Sequence, residues 1–249
     1  MSTLRNVARN ALRPHYLPVM ARKVAARLKP SHRDEAVEWA GAHVESLAGF
    51  AAALDPDLWA EAQAWAADFR VVAQARLDEH AVPLRGGGHY QLVHFLVRYR
   101  RPRVVLETGV AAGYTSQAIL AAMDKNGEGT LYSSDFPYFR LDAPERYVGC
   151  LVDDAYKPHW HLGLNGDRAN LAEFLPDIDT IDLVHYDSDK SVEGRAFVME
   201  AIRTRLSPEA VLVMDDIDDN TFFRDWVQQS GTEFRVFGGG RKFVGLTGL

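Results

Sequence analysis

The amino-acid sequence predicts an α/β protein: a doubly wound, seven-stranded sheet ending in an antiparallel hairpin, preceded by a helical N-terminal region. Three observations carry that expectation. Near residue 82 the chain changes character, from stretches rich in Ala, Leu, Glu and Trp with apolar residues three and four apart, to short apolar runs bounded by turn signals. After Arg103 those runs alternate with helical patterns, as parallel strands joined by crossover helices do. Only Gly238, Gly239 and Gly240 separate the last two runs, which leaves no room for a helix and implies antiparallel pairing at the sheet edge.

In chain order, residues 1–33 contain no acid but carry Arg5, Arg9, Arg13, Arg22, Lys23, Arg27, Lys29 and Arg33. A helix would line Arg5, Arg9 and Arg13 along one side, with Leu4, Val7, Ala8, Ala11 and Leu12 largely on another. That small, Ala-rich apolar face favours a solvated arm or a helix packed on a partner subunit, such as a homodimer, over peripheral contact with an anionic membrane surface. Helical segments follow at Asp34–Leu54 and Pro56–His80, and Pro83 with Gly86, Gly87 and Gly88 punctuates the boundary before an amphipathic helix at His89–Tyr99. The strand candidates are Val104–Glu107, Thr130–Asp135, His161–Asn165, Ile181–Tyr186, Ala210–Asp215, Glu233–Phe237 and Lys242–Thr247. Residues 1–82 therefore form an expected extension, serving as a lid, a dimer arm or a membrane-surface arm, and residues 83–249 the ligand-binding domain.

Bulk composition narrows the function. At 47% hydrophobic and 25% charged, the chain has the proportions of an ordinary globular protein. A lone Cys150 makes neither an internal disulfide nor a Cys-rich metal site, which suits a reducing compartment. No apolar run approaches the roughly 20 residues of a membrane span and the start lacks a signal-peptide pattern, so a cytoplasmic location is expected. The net charge of −6 argues against nucleic acid as a partner.

The residues with chemical meaning follow the strand candidates. Val104 to Glu107 runs into Thr108-Gly109-Val110-Ala111-Ala112-Gly113-Tyr114-Thr115, a glycine turn where open α/β sheets bind ligands. A dinucleotide fold uses G-x-G-x-x-G to seat a pyrophosphate, whereas here G-x-x-x-G follows an acid. Glu107 would repel a pyrophosphate and suit the cationic methionine end of S-adenosylmethionine, through an intervening network. Asp135 ends the second strand, where a ribose is held, or else caps the following turn. In Asn165-Gly166-Asp167-Arg168, Asp167 either accepts from an adenine amino group, with Phe136 against the ring, or caps the next helix. Asp187 follows the fourth strand and Asp215 and Asp216 the fifth. Three carboxylates in one crevice repel one another unless a cation sits among them, and oxygen ligands with vacant positions suit Mg²⁺. Such an ion would acidify and orient a hydroxyl. Turn and cap roles are the alternative for each acid alone. His89 and Tyr90 are candidate walls of an acceptor pocket. His185 is a candidate for a supporting group or a buried, hydrogen-bonded side chain.

From about Pro83 onward the chain resembles the class I, Rossmann-like methyltransferases, in the group containing catechol-type and macrolide- or sugar-type O-methyltransferases. The stretch Glu107 to Thr115 is similar to that family's first motif. The resemblance implies S-adenosylmethionine as cofactor, held by Glu107, Gly109, Val110, Gly113, Thr115, Asp135, Phe136, Asp167, Arg168 and Asp187. It also implies metal ligation by Asp187, Asp215 and Asp216. The base differs between branches: D-x-D points to Asp189 and D-x-x-K to Lys190, and the paired acids Asp215-Asp216 favour the sugar-type branch and Asp189. The expected activity is Mg²⁺-assisted methyl transfer to a hydroxyl of a small molecule such as a sugar, glycolipid head group or natural product. Metal-free transfer to nitrogen or carbon, a dinucleotide-dependent oxidoreductase and a non-catalytic binding module are the alternatives.

Overall fold

Alternation along the strands dictates the layering. In a strand successive side chains point to opposite faces, so Val105, Leu183 and Val211 enter one core and Leu106, Val184 and Leu212 the other. A sheet apolar on both faces must be covered on both, the arrangement of parallel α/β proteins. The computed structural model describes residues 6, 7, 10, 32–80, 84, 87–138 and 141–249. Of the basic arm's cations only Arg33 lies within the described residues, and Pro83 and Gly86 also lie outside them.

The sheet comprises β1 (Val104–Thr108), β2 (Thr130–Ser134), β3 (Trp160–Gly163), β4 (Ile181–Tyr186), β5 (Leu206–Met214), β6 (Phe234–Gly239) and β7 (Lys242–Thr247), in the order 3-2-1-4-5-7-6. β1 to β5 are parallel, while β7 runs antiparallel to β5 and β6, which confirms the terminal hairpin. From β1 the chain steps outward to β2 and β3, then crosses back to β4 on the other side of β1. The crevice between the carboxyl ends of β1 and β4 is thus a topological switch point. β1, β2, β3, β5 and β6 differ from their expected bounds, and for two of these ends the local reason is plain. β5 begins at Leu206, ahead of Pro208, and a register shift between Ile181 and Leu183 accommodates this irregular start. β3 stops at Gly163, where the Asn170 amide donates to Gly163 O (3.0 Å) and its carbonyl accepts from Asn165 N (3.0 Å), taking the backbone out of the ladder.

The N-terminal region contains α1 (Arg33–Ala42), α2 (Leu47–Leu54) and α3 (Pro56–Glu79). The single segment expected over Asp34–Leu54 is broken because Val44 bridges to Val236 in β6, Glu45 N donates to Val236 O (2.8 Å), and Ser46 Oγ then caps α2 by accepting from Gly49 N. α3 starts where Asp55 accepts from Asp57 N and Leu58 N, with Pro56 in the first turn. α4 (Tyr90–Arg100) and α5 (Tyr114–Asn126) cover one face of the sheet; α6 (Asp167–Phe174), α7 (Val192–Ile202) and α8 (Phe222–Ser230) cover the other. Leu92 to Val97 of α4 are all buried, since the helix is enclosed by the sheet on one side and by α3 on the other. Trp59 of α3 packs edge-on against Phe95, and Ala51, Trp59 and Ala62 share the cluster of Leu92, Val105 and Leu183.

The β2-to-β3 crossover departs from the expected helix. Its described residues form only 3-10 turns at Pro144–Tyr147 and Asp154–His159. Between them Gly149 N donates to Ala111 O and Leu151 N to Ala112 O, each at 2.9 Å, so the crossover lies along the loop after β1. Among the described residues no helix is long and apolar enough to cross a membrane.

Candidate active site

Register brings the candidate residues to one level. Thr108 pairs with Ser134 and Tyr186, and Tyr186 with Met214, so Asp135, Asp187 and Asp215 each stand one residue past an aligned strand end. The backbone holds this edge together: Gly109 N donates to Ser134 O (2.8 Å), Asp187 N to Thr108 O (2.7 Å) and Asp215 N to Tyr186 O (2.8 Å). Gly109 has φ 89°, and a Cβ there would meet Asp187 O at 2.3 Å. Only glycine satisfies both the left-handed turn and that approach. Gly113 forms the N-cap of α5 and provides no side-chain cap, while Thr115 is buried in the first turn.

Glu107 is fully buried beneath this loop. Its Oε2 accepts from Ser116 Oγ (2.6 Å) and Ser133 Oγ (2.7 Å), whereas Oε1 has no hydrogen-bond partner. Burial raises its pKa to about 7, opposed by the two serine hydrogen bonds. His185, beside it on β4, is also buried, with Nδ1 3.9 Å from Glu107 Oε1. Neither ring nitrogen of His185 is hydrogen-bonded, which corrects the expectation of a bonded side chain. Desolvation, followed by the nearby Lys190 and His89, lowers its pKa to about 3, so the imidazole is neutral.

Asp135 clasps the glycine loop. Oδ2 accepts from Val110 N (3.1 Å) and Ala111 N (2.7 Å), and Oδ1 from its neighbour Phe136 N (2.5 Å). An ionised carboxylate has about four acceptor positions, so capacity for a further donor remains. Asp167 is the first residue of α6 rather than its N-cap, which is Gly166. Its oxygens accept from Ser134 Oγ and Ser188 Oγ, both at 2.7 Å, tying β2 to the turn after β4. The Arg168 guanidinium lies 3.9 Å over the Phe197 ring of α7.

The acids after β4 and β5 do not form the open oxygen cage expected for Mg²⁺. Lys190 Nζ is ion-paired with Asp187 Oδ1 and, at 3.1 Å, with Asp216 Oδ2, while Lys242 pairs with Asp216 Oδ1. Among the described residues no group of three or more His, Cys, Asp or Glu side chains is arranged to hold a metal ion. An ammonium stands where the sequence suggested a metal, and the residues as placed do not fit one. Asp189 is also turned from the role expected of it: Oδ1 accepts from Ser191 N (3.0 Å) at the start of α7, as an Asx turn does. Burial lowers the Lys190 pKa from its ordinary value while Asp216 and Asp215 oppose that fall.

Sequence reasoning missed several contributors. Ser116 in the first turn of α5 and Ser133 near the end of β2 hold Glu107, and their signal was only a hydroxyl close to a strand end or a helix start. Arg195, fully buried, donates to Asp216 O (2.6 Å), Asp215 O (3.3 Å) and Asn220 Oδ1 (3.2 Å), locking the turn after β5. An aromatic cluster stands beside Gly87: Tyr90 and Tyr114 have ring centres 5.6 Å apart, and Phe69 of α3 packs on both. His89 Nε2 stands 3.9 Å from Asp215 Oδ1, and a Cβ on Gly88 would meet Asp215 Oδ2 at 2.7 Å, so the strand-end acid packs against this segment.

A 3-2-1-4-5-7-6 sheet with a glycine loop after β1, an acid ending β2 and a polar crevice beyond β4 and β5 is the Rossmann-like methyltransferase architecture. Residues 106–217, from β1 to just past β5, match the family described as a methyltransferase domain. A methyltransferase from Geobacter sulfurreducens superposes with TM-score 0.53 at 17% identity, covering 73% of this chain and 90% of its own. An O-methyltransferase from Bacillus cereus, solved in complex with SAH, gives TM-score 0.54 at 12% identity over 73% of this chain and 90% of its own. At such identities the likeness establishes the fold. No curated protein matches the chain in sequence.

Proposed function

We propose that this methyltransferase acts on a hydroxyl oxygen of a small molecule. The observation that carries the reading is the juxtaposition of a paired ammonium, Lys190, with the Asp215 carboxylate at the adjoining ends of β4 and β5. The Bacillus cereus neighbour, described as an O-methyltransferase, supports the same acceptor atom.

The residues present suit S-adenosylmethionine. The uncapped first turn of α5 offers backbone N–H groups to the methionine carboxylate. Glu107 Oε1, buried without a partner, suits a donor from the amino group or a bridging water. Asp135 retains acceptor capacity for the ribose hydroxyls, and Phe136 and the Asp167 segment flank the place for adenine. When bound, the cofactor supplies an electrophilic methyl carbon on a positively charged sulfur. Lys190 Nζ, held by Asp187 and Asp216, has one N–H left to donate to the acceptor oxygen and stabilises the negative charge that develops there. Asp215 is the group to which the hydroxyl proton leaves as the oxygen gains the methyl group and the carbon–sulfur bond breaks. Tyr90, Tyr114 and Phe69 shield that side of the crevice from water.

The test is label transfer from methyl-labelled S-adenosylmethionine to phenols, sugars and polyketide alcohols, with matched amines as controls. Transfer to alcohols, reduced on the order of 100-fold or more in Lys190→Met with SAH affinity retained, is expected. Transfer confined to amines overturns the reading.

A further inference from the structure

We infer that the Lys190 ammonium takes the place of a divalent metal among Asp187, Asp215 and Asp216, so that this crevice works without a bound metal and accepts substrates bearing a single, non-chelating hydroxyl. The inference rests on the hydroxyl-transfer reading above for its substrate class. Its structural part stands on the ion pairs alone.

Both oxygens of Asp216 and one each of Asp187 and Asp215 are already engaged. Asp187 Oδ1 and Asp216 Oδ2 both bind Lys190 Nζ, and Asp216 Oδ1 binds Lys242. Asp215 Oδ1 accepts from Asp216 N (2.9 Å), and Oδ2 packs against the Gly88 segment. Charge balance points the same way. The three carboxylates face Lys190, Lys242 and the buried Arg195, whose guanidinium donates to Asp215 O and Asp216 O. A dication entering this set would stand against the Lys190 and Lys242 ammoniums, and like charges repel strongly in a partly desolvated crevice. Mg²⁺ also requires oxygens at about 2.0–2.1 Å in near-octahedral array, so it would have to expel Nζ from between its two partners.

Lys190 is held there by the chain. Its carbonyl accepts from Asn220 Nδ2 (2.6 Å), and Asn220 in turn accepts from Arg195. Asp187 and Lys190 are three residues apart in the tight turn from β4 to α7, which fixes their pairing locally. Asp216, with φ 50°, holds an uncommon left-handed backbone that the Arg195 contacts over-determine. The chemical consequence concerns the acceptor. A metal with open positions binds two neighbouring oxygens as a chelate, whereas an ammonium with one free N–H binds one. An isolated hydroxyl therefore suffices.

The experiment is Mn²⁺ titration, read by the loss of the free-ion electron paramagnetic resonance signal. It uses the wild-type protein, Lys190→Met, and Lys190→Met combined with Asp187→Asn. SAH binding and circular dichroism report the fold of each. The wild type is expected to bind no stoichiometric Mn²⁺ up to about 1 mM. Lys190→Met is expected to gain one site, which the second substitution removes. Stoichiometric wild-type binding that Asp216→Asn abolishes overturns the inference, as does a folded Lys190→Met that gains no site. If that variant does not fold, Lys190→Gln is titrated in its place, and the wild-type titration still decides between a resident metal and none. In the label-transfer assay, the rate on a monohydroxylated acceptor is expected to change by less than about twofold with chelator, while a loss of tenfold or more overturns the inference. Failure of the hydroxyl reading looks different: no alcohol accepts label, and the Mn²⁺ result is unaffected.

Discussion

Glu107 couples its protonation state to stability. It is buried, held by Ser116 and Ser133, and its pKa is raised to about 7 from an ordinary value of 4.5. Between those two values the native state holds a proton that the unfolded chain has released, so folding stability falls as pH rises from about 4.5 through about 7. Glu107→Gln keeps an acceptor for both serines and removes the titration. Relative to wild type, its thermal stability is expected to improve between pH 5 and pH 8 by on the order of 2–3 kcal/mol, measured by melting at both values. A constant difference would contradict the assignment. Gly109 acts through backbone geometry. Gly109→Ala puts a Cβ 2.3 Å from Asp187 O at φ 89°, so a loss of at least about 2 kcal/mol is expected, a fall of roughly 4–8 °C in melting temperature, with weakened SAH binding. The sequence marked both residues because an acid and glycines at a strand end stand out. It left His185 open, because burial is a property of the folded neighbourhood.

At the scale of elements, the crossover between β2 and β3 matters most. It contains no described α-helix, and it is fastened both to the glycine loop and to α3, where Arg76 donates to Leu151 O (2.8 Å) and Asp153 Oδ1 (2.5 Å). Arg76→Ala is expected to speed proteolytic cleavage within residues 141–159 and to weaken SAH binding about threefold to tenfold, with the melting temperature little changed. Unchanged cleavage would mean that the contact carries no restraint. Turn chemistry was only partly legible. Asp187-Ser188-Asp189-Lys190 reads as a ligand-and-base motif, but which carboxylate faces the crevice depends on the start of α7, where Asp189 accepts from Ser191 N. Likewise, three acids after two strands suggest a cation without telling whether it is an ion or a lysine. Ile181–Tyr186 and Lys242–Thr247 matched their expected bounds, because a clean apolar run between turn signals defines both ends.

For the whole molecule, the N-terminal helices form part of the same core as the sheet. Phe50 of α2 packs on Phe237 of β6, Trp59 on Phe95, and Arg98 of α4 donates to Glu61 of α3 (2.7 Å). Helical periodicity identified these helices, but their partners come from long-range packing that no local pattern encodes. Trp59→Ala is expected to cost about 3–5 kcal/mol in denaturant unfolding, in a single transition shared by the helical region and the sheet. Two separated transitions would show independent units instead. Whether the strand-end crevice binds the nucleoside cofactor is decided by calorimetric titration of SAH into the wild-type protein. Micromolar, one-to-one binding that Asp135→Ala weakens at least about tenfold is the result predicted. No binding by the folded wild-type protein would contradict that prediction.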